Sequence, residues 1–148
     1  MASWHRVFAA RETMPEPAGV EARLAGLGAA ARVGWAASAG GWYRAEIALG
    51  DGPPLVLERW LADEEGIRAE LNAWAGWLET CEASPHHQAL MERVIQCRQL
   101  FTLARPEEEN GGVCVALARY LAEVTGGVYQ VDGGGFFAAD GTLQVREE

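Results

Sequence analysis

The sequence predicts an α+β fold: a mostly antiparallel sheet of about five to seven strands, with three or four helices packed mainly on one face. Three observations carry this expectation. Residues 30–62 hold three runs of alternating apolar and polar residues separated by glycine- and proline-rich turns, the pattern of an antiparallel meander. Residues 63–82 repeat apolar positions at intervals of 4, 3, 4 and 3, the stripe of an amphipathic helix. The C-terminal third is cut by Gly126-Gly127, Gly133-Gly134-Gly135 and Asp140-Gly141 into short extended pieces.

The elements follow in order. Trp4 to Ala10 reads as a first strand, stopped by Met14-Pro15-Glu16-Pro17. Val20, Leu24 and Leu27 then form one apolar helical face, with Gly28 placed to cap its C-terminus. In the meander, Ala31, Val33, Trp35 and Ala37 point one way and Arg32, Gly34, Ala36 and Ser38 the other. Gly40-Gly41 turns the chain into a strand with Tyr43, Ala45, Ile47 and Leu49 on one side, which leaves Trp42 at the turn. Gly50-Asp51-Gly52-Pro53-Pro54 leads into Leu55 to Leu61.

Asp63 is the expected N-cap of the long helix, whose stripe is Ile67, Leu71, Trp74, Leu78 and Cys81, with Trp77 at its flank. Ser84-Pro85 opens a second helix through Leu90, Val94 and Cys97. Leu100 to Leu103 reads as a central strand or as that helix's tail, and periodicity does not separate the two. Val113 to Val124 is helical and Val128 to Val131 is a strand. Phe136-Phe137 and Leu143 to Val145 complete the sheet. One domain spanning 1–148 is the simplest organisation, with the breakers at 83–85 as the place where it could divide.

The net charge of −9 is not evenly spread. Residues 1–62 hold six acids and six arginines, whereas residues 63–148 hold fifteen acids and six arginines. Such a field disfavours nucleic acid and anionic membrane and favours a basic partner. All twelve basic residues are arginine. The absence of lysine excludes Schiff-base, P-loop and kinase-type chemistry, and together with abundant Ala and Gly it fits a GC-rich, bacterial-type coding sequence. Three cysteines without close pairing, and an N-terminus without a basic and apolar leader, give the expectation of a reduced, cytoplasmic setting.

No constellation predicts catalysis. Cys81, His86, His87 and Cys97 have the residue types of a zinc site but lack a C-x-x-C spacing, and both cysteines lie on apolar stripes. None of Ser3, Ser38 and Ser84 lies in a G-x-S-x-G elbow. The Asp132-Gly133-Gly134-Gly135 turn does not open a helix and so lacks the dipole of a phosphate cradle, and Asp132 with Asp140 does not match an EF-hand loop. No metal, cofactor or catalytic residue is therefore assigned.

What remains is recognition. The sequence points to a non-enzymatic interaction protein, an acidic inhibitor or immunity-type partner of a basic protein. It is similar in composition to bacterial toxin-immunity proteins, a likeness that no motif carries. Glu65, Glu79 and Glu82 on the acidic helix, with Trp42 and Trp77 as exposed aromatics, are the expected partner-binding residues. The alternative is a small-molecule-binding domain or enzyme with its pocket between the sheet and helix 63–82.

Overall fold

The computed structural model describes residues 3–28, 31–50, 53–81, 84–105 and 111–146. Its elements are β1 (Ser3–Ala9), α1 (Pro17–Gly26), β2 (Arg32–Ser38), β3 (Gly41–Ala48), β4 (Leu55–Leu61), α2 (Ile67–Glu79), α3 (His87–Ile95), β5 (Gln99–Arg105), α4 (Gly111–Thr125), β6 (Val128–Val131), β7 (Gly135–Ala138) and β8 (Leu143–Arg146). The fold is α+β. Its strands form one eight-stranded sheet in the order β2-β3-β4-β5-β1-β6-β7-β8, slightly more strands than predicted. Every pairing is antiparallel.

The first strand lies near the centre, between β5 and β6. Both neighbours run opposite to β1 and therefore parallel to each other, so α4 makes the crossover of a split βαβ unit. It packs across β1, β5 and β6. Segments from before and after residues 83–85 thus share one sheet.

The helices are divided between the two faces of the sheet rather than gathered mainly on one. The reason lies in the central strands, which are apolar on both sides. Val7 and Ala9 join α1 and α4 in one cluster through Val20, Leu24, Leu117 and Leu121. Phe8, between them in sequence, joins α2 and α3 in the other through Leu71, Leu78, Leu90 and Val94. Phe101 and Leu103 of β5 likewise belong to the first cluster and Leu100 to the second.

Local chemistry explains the remaining boundaries. Gly28 has φ +75° and donates its amide to the Ala25 carbonyl, the left-handed stop expected after α1. The segment after α3 is strand, not helix tail: Gln99 to Arg105 pairs with β1 on one side, and Leu100 and Gln99 face Trp60 and Leu61 of β4 on the other. Among the described residues no helix is long and apolar enough to cross a membrane.

Candidate interaction surface

Helix α2 begins three residues later than the Asp63 cap predicted. Gly66, with φ +86°, occupies the cap position, and Asp63 to Glu65 form a turn ahead of it. The Glu64 carboxylate folds back to accept the Leu61 amide, so this acid closes the turn instead of starting the helix. Glu65 is exposed in that turn, and Glu79 is exposed as the last helical residue. Fourteen residues of near-helical rise put them about 20 Å apart. Glu82 lies outside the described residues. Glu65 and Glu79 therefore do not form one compact patch but mark the two ends of α2.

These carboxylates are not neutralised locally. Among the described residues, Asp63, Glu65 and Glu79 make no ion pair; the pairs that form involve Glu12, Glu46, Glu58 and Asp132. Glu70 accepts the Trp74 indole N–H at 3.2 Å. The one arginine of the helix, Arg68, lines a hollow with Asp63 and Glu64 without forming an ion pair and donates to the Ile95 carbonyl at 2.6 Å, capping α3.

The predicted aromatics separate. Trp42 is only 2 % exposed, which corrects the expectation that it stands out at the turn. A β-bulge shifts the β2–β3 register so that Ala36 pairs with Arg44 but Ala37 pairs with Trp42. The extra residue rotates Trp42 into the core and leaves Tyr43 half exposed. The Trp42 indole N–H donates to the Pro15 carbonyl at 2.8 Å, and its ring meets Trp35 edge-on at 5.1 Å. Trp77 is half-buried against Trp74 and Phe136, with centroids at 5.4 and 5.9 Å.

A cluster that sequence reasoning missed borders α2. The Arg6 guanidinium lies 4.9 Å over the Trp74 ring and 5.9 Å from that of Trp4. It also donates to Asp132 at 2.7 Å and Gln130 at 2.9 Å. The signal was present: Trp4, Arg6 and Phe8 share one face of β1 by period two, and that face meets α2. Beneath the helix, Phe8, Trp74, Trp77 and Phe136 contact one another ring to ring. Phe8 and Phe136 pack beneath Trp74 and Trp77, and a hollow of about 600 Å³ lies at the start of α2, lined by Asp63, Glu64, Arg68, Cys97 and Arg98.

The other candidates have structural roles. Cys97 is fully buried, its thiol donates to the Gln99 carbonyl at 3.0 Å, and burial pushes its pKa up to about 11. Ser84 accepts the His86 amide and donates to the Gln144 carbonyl, tying the start of α3 to β8. Its helix begins at His87, and the His87 ring contacts the Leu78 carbonyl. Asp132 is engaged by Arg6, and Asp140 accepts the Thr142 amide in the β7–β8 turn. That hydrogen bonding holds its carboxyl below the usual range. Among the described residues no three His, Cys, Asp or Glu side chains come together as a metal site.

A second missed network lies on the opposite face. Arg59, 8 % exposed, donates to Gln99 and to the carbonyls of Gly40 and Trp42. Gln99 in turn donates to the Arg11 and Thr13 carbonyls at 2.7 Å. Desolvation lowers the Arg59 pKa, opposed by the charge of Glu64. A polar residue flanking an apolar strand, such as Gln99 before Leu100, was the available sign.

With the geometry in view, comparison with known proteins adds no relative: no protein-family model, curated protein or solved structure matches this chain.

Proposed function

We propose that this chain is a non-enzymatic interaction protein that binds a basic protein, in the manner of an inhibitor or immunity-type partner, within the cytoplasm. The observation that carries this reading is the set of exposed carboxylates at the two ends of α2, unpaired among the described residues, in a chain whose whole excess of negative charge falls in residues 63–148. Unpaired surface acids cost little folding stability and project a field that accelerates encounter with a cation-rich surface. The neighbouring Trp4, Arg6, Trp74 and Trp77 supply large, partly accessible contact area of the kind that anchors interfaces. The same field makes nucleic acid and anionic membranes poor partners.

The immobilised full chain, exposed to host extract at low and at high salt, tests this. A partner of high isoelectric point should be retained at low salt and released at high salt, and reversing Glu65, Glu79 and Glu82 to Arg should slow its association. Failure to retain any protein at either salt would remove the reading.

A further inference from the structure

A hollow of about 390 Å³ lies where the sheet ends between α3 and α4. Its size falls within the range of small-molecule sites, roughly 300–1,000 Å³. The floor is apolar and buried: Leu90, Ala122 and Val128 are 1 %, 0 % and 5 % exposed. Two side chains of opposite charge line the hollow, Arg93 from α3 and Glu123 from α4, beside His86 and Gln144.

These charges are held apart. Both line the same hollow, yet they do not pair with each other, and among the described residues neither has an oppositely charged partner. Arg93 is fixed by one bond, from its guanidinium to the Gly126 carbonyl at 2.6 Å. That bond alone would make it a cap on the end of α4. A cap uses one of five guanidinium donors and explains neither the hollow nor Glu123. Ala89, Ala138 and Ala139 keep the walls of the hollow short of side chain.

We propose that this hollow binds a small zwitterion, an α-amino acid with an aliphatic side chain. Arg93 takes the carboxylate, Glu123 takes the ammonium group, and the aliphatic chain lies against Ala89, Ala138 and Ala139, above the buried Leu90, Ala122 and Val128. Opposite charges separated over an apolar floor match a ligand that carries both charges at one end and hydrocarbon at the other. The site is independent of the partner reading above, since it uses neither α2 nor its acids.

Amide chemical shifts of the full chain, followed during titration with L-leucine, test the proposal. Saturable shifts are expected at Gly126, Gly127, Ala138 and Ala139. Leucine amide, which lacks the carboxylate, and N-acetyl-leucine, which lacks the ammonium group, should each bind about tenfold or more weakly, the loss of one charged contact of about 1.4 kcal/mol. Glu123→Gln should erase the preference for leucine over N-acetyl-leucine while keeping that over leucine amide. Ala89→Leu, on an exposed position of the wall, should abolish binding. Both variants leave the Arg93 bond to Gly126 in place, so the fold is preserved. Absence of saturable shifts, equal binding of all three ligands, or indifference to Glu123→Gln would each overturn the assignment.

Discussion

The two faces of the sheet are built on different plans. The face under α1 and α4 is closed on itself: its polar groups, Arg59, Gln99 and the Trp42 indole, send their bonds inward to backbone carbonyls and to one another. The face under α2 and α3 buries Gln130 and Cys97, but part of its polar network reaches the border with solvent. There Arg6 stacks on Trp74 and Trp4, and exposed acids flank the helix. An inward-bonded network fixes loops and offers little to a partner. A bordering one offers charge and ring surface. A basic partner of the kind proposed above would therefore meet the α2 side.

The largest test of that contrast is a pair of tryptophan truncations. Trp42→Ala removes a buried ring together with the donor to Pro15, and is expected to cost about 3–5 kcal/mol. Trp74→Ala opens a half-buried cluster that solvent and neighbours can partly refill, with an expected cost of about 2–3 kcal/mol. Chemical denaturation measures both. Equal losses would mean that the two faces are equally closed.

A second pair compares arginines. Arg59→Met leaves Gln99 and the Gly40 and Trp42 carbonyls without their donor in a buried site, for a loss of about 2–4 kcal/mol. Arg6→Met removes an ion pair whose partners are 18 % and 39 % exposed, and such pairs contribute about 1 kcal/mol or less. Should Arg6→Met prove as costly as Arg59→Met, the Trp4–Arg6–Trp74 stack is part of the core and not a surface.

How far the sequence foretold this contrast depends on the kind of signal. Period two over 55–61, and the left-handed glycine after α1, read directly because local sterics set them. The continuous apolar run through Leu100 and Phe101 and the pair Val7-Phe8 already indicated burial on both faces, yet which helix covers which face follows from the crossovers and not from local pattern. The bulge that buries Trp42 in place of Tyr43 leaves no mark in the alternation of 31–49. Gly66 overrode Asp63 as the start of α2 because Glu64 found a better acceptor role at the Leu61 amide. The placing of Glu65 at the start of α2 and Glu79 near its end was legible from their spacing, but the turn that holds Asp63 to Glu65 ahead of the helix was not.

Alkaline pH probes the aromatic face through Cys97. Its native pKa, about 11, lies above the ordinary thiol value of 9.0. The thiol is protonated in the folded state and ionises earlier when unfolded, so its contribution is complete below pH 9 and is lost between pH 9 and 11. The loss across that window is about 3 kcal/mol. Tyr129, on the opposite face, is also pushed up by burial and acts in the same direction at higher pH. Replacing Cys97 by Ala should flatten the decline between pH 9 and 11 in thermal unfolding. An unchanged slope would mean that water reaches the thiol.

The smallest expected effects separate folding from recognition at the two ends of α2. Glu79 is the last helical residue, and the final turn carries no basic side chain. A carboxylate there faces the negative end of the helix dipole, so Glu79→Arg should stabilise the fold by about 0.3–1 kcal/mol. Glu65 precedes the positive end, so Glu65→Arg should destabilise it by a similar amount. If a basic partner contacts both ends, the two reversals have opposite signs in denaturation but the same sign in binding. Each should slow association at low salt and lose its effect at high salt. A reversal that alters stability as expected but leaves the association rate untouched would place the contact at the other end of the helix. If both do so, the partner meets the Trp4–Arg6–Trp74 border instead, and Trp4→Ala becomes the variant that slows it.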